Sequence, residues 1–312
     1  MLNKCRLFTI CIAACTAVFV GAADEAEVQS GTFTKPQLAP FTVTALRGVP
    51  QFEGGAFEVT AFDAEVLRQM PYWTTDDFLR QIPGFSLFRR TSSLVANPTT
   101  QGASLRGIGP SGTSRSLVLF DGVPLNDAFG GWIYWSQINL RQVERVEVVR
   151  GGGSAAWGNT ALGGVIQIIP RQPEPRTLET HLAIGNQGTW ETSVYGSERI
   201  GNFGIAVEAR AFSTDGYQRV RADQRGDVDI RSNARHEVIN AVADYIFPTE
   251  ARLTVRGMVF DERRGNGTPL TNNSTESYRL HLKLESDPRA DFVWRTDLYG
   301  VRSKYASTFS SV

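Results

Sequence analysis

The sequence predicts an exported α+β domain followed by antiparallel strands of a transmembrane β-barrel. Three observations lead there. The chain opens with an apolar segment of secretory type. Residues 56–170 mix short strand and helix patterns cut by Gly and Pro. Residues 176–312 alternate apolar and polar side chains over segments the length of a barrel strand. The 312 residues carry 32 basic and 32 acidic side chains. They therefore lack the cationic excess that holds nucleic acid by its phosphates. With 41% hydrophobic and 10% aromatic residues, the composition is also too apolar for a disordered chain.

Residues 1–23 read as a signal peptide. Lys4 and Arg6 precede the apolar run Leu7 to Val20, and Gly21-Ala22-Ala23 offers small residues for cleavage. The run is too short to cross a bilayer as a helix. Ile12-Ala13-Ala14-Cys15 also has the form of a lipidation site. Cys5, Cys11 and Cys15 all fall in this segment, so the remainder forms no disulfide and no thiolate metal site. His181, His236 and His281 are widely spaced, and neither a resident metal nor a cofactor is expected. No later run of about 18 apolar residues appears, so an exported chain of this kind is soluble or inserts as a barrel.

Residues 24–55 are polar and read as a mobile leader. Within it, Phe41-Thr42-Val43-Thr44-Ala45 alternates with high strand propensity. A free strand of this type invites pairing with a partner's sheet. Phe57-Glu58-Val59-Thr60-Ala61 nearly repeats its pattern and opens the next domain as a strand through Phe62. Asp63 is positioned to cap a helix that Pro71 stops, and Thr74 or Thr75 to cap a second one. Asp76 and Asp77 in its first turn and Arg80 near its end suit the helix dipole. Pro83-Gly84 ends it. Further strands are expected at 85–89, 116–120, 143–149 and 165–169, with a hairpin turn at Asp121-Gly122.

In the last region, Tyr278, Leu280, Leu282 and Leu284 alternate with Arg279, His281, Lys283 and Glu285. Phe203, Ile205 and Val207, and Leu253, Val255 and Val259, repeat the pattern, and Phe292, Trp294 and Leu298 continue it. About seven strands are expected. The charged face is too polar for a dry core, which favours a water-filled lumen over a soluble β-sandwich.

Other motifs carry less. Gly107-Ile108-Gly109-Pro110-Ser111-Gly112 has dinucleotide-site spacing but is followed by a strand where a helix is required. Gly151-Gly152-Gly153-Ser154 lacks the lysine of a phosphate loop. No serine lies in a nucleophile elbow, and no catalytic constellation is found, so an enzyme is not expected. Trp132, Tyr134 and Trp135 form an aromatic cluster readable as core packing or as a ligand-stacking surface. Arg89 and Arg90 are candidates for an anionic ligand or for the wall.

Several motifs, in order, resemble the plug domain of TonB-dependent outer-membrane receptors. They are Leu79-Arg80-Gln81-Ile82-Pro83-Gly84-Phe85, Leu105-Arg106-Gly107, Leu119-Phe120-Asp121-Gly122-Val123-Pro124, 143–151 and Leu162-Gly163-Gly164-Val165. The resemblance implies a plug over 56–170 and the first part of a barrel over 176–312. It implies a TonB box at Phe41, Thr42, Val43, Thr44 and Ala45 that adds a strand to TonB. It also implies uptake of a scarce ligand across the outer membrane, with outer-membrane lipid around the wall. Ferric siderophores, haem, cobalamin and glycans are the ligand classes, a metal chelate being the commonest. Ligand contacts at the plug apex would fall to Arg89, Arg90, Trp132, Tyr134 and Trp135. About seven strands fall well short of the about 22 of such a barrel, so the chain is expected to be a fragment. The alternative is an exported soluble plug-type binding module that does not transport.

Overall fold

A computed structural model describes residues 58–108, 114–151 and 153–309. The signal segment at 1–23 and the strand pattern Phe41–Ala45 lie outside the described residues. Two sheets dominate. The first runs β1 (Glu58–Asp63), β6 (Val143–Arg150), β7 (Gly164–Pro170), β4 (Leu117–Phe120), β5 (Val123–Pro124) in spatial order. β4 and β7 are parallel and the other neighbours antiparallel. A short ladder joins β2 (Ser86–Leu87) to β3 (Ala103–Ser104), so the strand expected at 85–89 shrinks to two residues.

Both faces of the sheet are buried at its middle strands β4 and β7, which is why these two read as nearly continuous apolar runs. Val118, Val146, Val148, Ile166 and Ile168 pack with Leu67 of α1 (Ala64–Gln69), Phe78 and Leu79 of α2 (Thr75–Leu79), and Trp135. Leu117, Leu119, Val149 and Val165 pack on the other side with Ala161. Asp63 and Thr74 occupy the helix N-cap positions, but neither side chain caps a backbone N–H. The Thr74 hydroxyl instead donates to Asp77 at 2.8 Å. Asp121 and Gly122 both take positive φ, 50° and 85°, the backbone of a tight hairpin turn. Gly164 admits no side chain, since a Cβ would stand 2.2 Å from the Val149 carbonyl oxygen.

The second sheet is an antiparallel meander of seven strands. It comprises β8 (Thr177–Ile184), β9 (Trp190–Ile200), β10 (Phe203–Tyr217), β11 (Ser232–Ile246), β12 (Arg252–Gly265), β13 (Asn272–Glu285) and β14 (Arg295–Ser307). β8 and β14 form its edges. The expected alternation holds: Tyr278 and Leu280 are more than half exposed while Ser277, His281 and Lys283 are buried. Phe292 and Trp294 depart from expectation and sit in the loop before β14. Pro288 cannot donate to a ladder, and the Ser286 N–H closes the loop on the Trp294 carbonyl at 2.9 Å.

The charged face also differs from expectation. It does not line open water, because the first domain lies against it. Val238, Met258 and Phe260 point inward and join the domain's core. The polar residues beside them bond to that domain. Among the described residues no helix is long and apolar enough to cross a membrane, which says nothing of strands.

Candidate functional site

The wall grips the plug at two levels. At the upper level Arg210 of β10 donates to the carbonyl oxygens of Ser136 (3.3 Å), Ile138 (3.2 Å) and Trp73 (3.2 Å). It also pairs with Glu191 of β9 at 2.5 Å. Arg264 of β12 donates to the carbonyls of Ser93 (2.5 Å) and Ala96 (2.7 Å) and pairs with Glu262 at 2.5 Å. Glu262 accepts from the Ser136 hydroxyl. Strand periodicity explains the pairing, since residues two apart share a face. Glu262 and Arg264 thus reach two different plug loops from one strand.

At the lower level the β4–β5 turn meets three cations. Lys283 Nζ stands 3.0 Å from Asp121 Oδ1, and Arg256 Nε stands 3.5 Å from Oδ2. Arg295 donates to the Asp121 carbonyl at 2.9 Å. Nearby, Arg279 donates to the Pro124 carbonyl at 2.8 Å. Burial alone would raise the Asp121 pKa. Lys283 and Arg256, with Arg295 beyond them, outweigh it and hold the carboxyl below its ordinary range. The positive-φ turn delivers this carboxylate to the wall.

The link between the two bodies is fastened separately. Arg171 follows β7 and pairs with Glu174 at 2.8 Å and Glu179 at 2.9 Å. Its guanidinium lies 4.3 Å from the Tyr195 ring centroid, a cation–π geometry.

The candidate ligand residues separate into two groups. Trp132, Tyr134 and Trp135 are buried at 8%, 4% and 1% exposure. The Trp132 ring lies 5.6 Å from Tyr305 of the wall, Tyr134 6.1 Å from Phe260, and Trp135 6.1 Å from Phe85. All three rings thus belong to the apolar cluster that joins plug and wall. Arg89 and Arg90 are exposed on the segment after β2. Arg89 lies 5.4 Å from the Phe88 ring. The structure does not bring these arginines and the aromatics into one site.

Behind Arg89 and Arg90 lies a buried acidic clip. Asp76 accepts from the Ser93 N–H at 3.0 Å and from the Ser93 hydroxyl. Asp77 accepts from the Ser92 hydroxyl at 2.7 Å. Burial, and then the neighbouring Asp77, push the Asp76 carboxyl above its ordinary value. Sequence reasoning treated these acids as dipole partners and missed the clip. It also missed Arg210, Glu262 and Arg264, whose signal was the inward register of charged residues in otherwise apolar strands.

Residues 53–165 match the TonB-dependent Receptor Plug Domain family. The ferric enterobactin receptor PirA of Pseudomonas aeruginosa is 26% identical over 266 residues, 73% of this chain and 34% of that protein. A second ferric enterobactin receptor of the same organism is 29% identical over 246 residues, 74% of this chain and 30% of that protein. The chain therefore spans about a third of the length of these curated relatives. Among solved structures, the ferric yersiniabactin uptake receptor FyuA of Yersinia pestis superposes with TM-score 0.62 at 18% identity, covering 82% of this chain and 42% of that one. A mutant of the ferric enterobactin receptor PfeA of Pseudomonas aeruginosa gives TM-score 0.58 at 21% identity, covering 85% and 42%. These likenesses carry the fold.

Proposed function

The chain belongs, through residues 53–165, to the TonB-dependent receptor plug domain family, and from that premise we propose that it serves energised uptake of a ferric siderophore or similar metal chelate. Its setting is the outer membrane of a Gram-negative bacterium. In this reading the metal is cargo, carried within the chelate.

One observation carries the reading. A folded domain is seated against the polar inner face of a wall whose outer face is apolar. The seat consists mostly of side-chain bonds to plug carbonyls, which water can take over when the plug shifts. Curated relatives named as receptors for ferric enterobactin support a chelate as cargo. In this reading residues 56–170 are the plug and residues 176–312 the first part of the wall. Arg89 and Arg90 face the ligand, with Trp132, Tyr134 and Trp135 as the frame behind it. Phe41, Thr42, Val43, Thr44 and Ala45 form the strand added to TonB. Outer-membrane lipid covers Tyr278, Leu280 and their neighbours.

The test is uptake of a radioiron-labelled ferric chelate by cells with and without TonB. Val43→Pro removes a ladder donor. It is expected to abolish uptake while leaving chelate binding intact. Unchanged uptake would move the coupling strand elsewhere, with Phe57–Ala61 the next segment to test.

A further inference from the structure

The outward face of the wall changes character along its strands. Tyr278, Leu280 and Leu298 are more than half exposed and belong to its apolar part. Toward the end that carries the long loop 218–231 between β10 and β11, the same face turns polar, as on the outer side of such a wall. Register fixes which side chains stand together there, because directly opposed residues of antiparallel strands share a face. Glu237 of β11, Asp261 of β12, Glu276 of β13 and Lys304 of β14 form one row. The next row outward is Ser213, Arg235, Arg263, Ser274 and Ala306. Its charges are all positive, and Arg235 and Arg263 are direct cross-strand neighbours. Their side chains are 57% and 55% exposed, while His236 and Arg264, next to them in sequence, are buried on the inner face.

Like charges placed directly opposite are unfavourable. Each arginine has an acid two residues away on its own strand, Glu237 at 2.8 Å and Asp261 at 3.8 Å. Exposed pairs of this kind contribute little, and a guanidinium carries more N–H donors than one carboxylate uses. The small side chains of Ser213, Ser274 and Ala306 leave the flanks of the two arginines open. A groove of about 640 Å³ runs there, lined by Ser213, Arg235, Arg263, Ser274, Glu276 and Ala306. The acid row lies between this level and the apolar part, so an anion is favoured at the arginines and repelled one row further in.

We propose that Arg235 and Arg263 seat the phosphate of a phosphorylated glycolipid of the outer leaflet, on the outside of the wall and apart from the plug. Two adjacent planar guanidiniums suit an anion with several oxygens. The apolar face beneath them suits acyl chains, so the occupant is a lipid and not free phosphate. The proposal goes beyond uptake and takes from that reading only the membrane setting.

The experiment uses the full receptor in detergent micelles, titrated with diphosphoryl lipid A and read by native mass spectrometry. Arg235→Gln and Arg263→Gln are each expected to weaken lipid A binding about 10-fold, and the double variant about 100-fold. Replacing both by Lys keeps the charge but loses the fork, and is expected to fall between. Arg176→Gln removes an exposed cation at the opposite end of the wall and is expected to change nothing. Ferric-chelate binding by the double variant is expected to match the wild type, so the uptake reading stands or falls separately. Unchanged lipid binding by the double variant, an equal loss in Arg176→Gln, or displacement of the lipid by inorganic phosphate would overturn the seat. Loss of lipid and chelate together would overturn it too, since the arginines would then serve the fold.

Discussion

Lys283 on β13 reaches Asp121 in the β4–β5 turn, Nζ to Oδ1 at 3.0 Å, across 162 residues of sequence. Both side chains are buried, at 7% and 5% exposure. The contact ties a positive-φ turn of the plug to the inner face of the wall, and Arg256 and Arg295 complete it. Removing one partner of a buried ion pair strands the other charge. Asp121→Asn is therefore expected to destabilise the assembled protein by about 3–5 kcal/mol. The urea midpoint of the receptor in detergent measures it, and a shift under about 1 kcal/mol would mean water already shares that site.

The same carboxylate sets a pH response. Its folded pKa lies below the ordinary value of 3.8. Its contribution is thus complete above that value and lost as pH falls through the folded one. Attachment of the plug, followed by protection from protease, is expected to hold from neutral to about pH 4 and weaken below. Asp76 runs the other way. Burial raises its pKa, so the stability it withholds at neutral pH returns as the medium acidifies. Loosening that begins near pH 6 would point away from Asp121.

Trp132 discriminates packing from ligand stacking. It is 8% exposed and lies against Tyr305 of the wall. Trp132→Ala is expected to cost about 3–5 kcal/mol of stability through the cavity it leaves. Chelate affinity per folded molecule should stay within a few-fold. A stable variant with lost affinity would return this ring to the ligand.

Leu280 probes the outer face. It is 55% exposed at the centre of β13. Leu280→Arg is expected to cost about 2–4 kcal/mol of insertion into lipid vesicles, as for a charge near the bilayer midplane. Equal insertion of both proteins would argue against lipid contact at this position.

The wall was legible in the sequence because an exposed apolar face and a polar inner face alternate with a period of two. Tyr278, Leu280, His281 and Lys283 take the faces that period assigns. Its limits were legible less well. Met258 and Phe260 are apolar yet point inward, because a plug stands where the pattern implied water. The plug's central strands and its Asp121-Gly122 turn could be read from apolar runs and turn chemistry. The fastening could not. Arg210 and Arg264 bond to backbone carbonyls of distant loops, and a carbonyl has no signature in side-chain pattern.

The place of β1 at the sheet edge has a mechanical consequence. Among the described residues it is held by one ladder only, to β6, running from Glu58↔Arg150 to Asp63↔Arg145. Tension applied to the chain ahead of Glu58 loads that end of the ladder first, where Arg150 also grips Glu58 and Thr60. Peeling then advances one rung at a time, so the force required is that of a single rung. The inner strands β6, β7 and β4 stay paired with one another throughout. A pull from that side can strip an edge from the plug and transmit displacement to α1 while leaving the middle of the sheet intact.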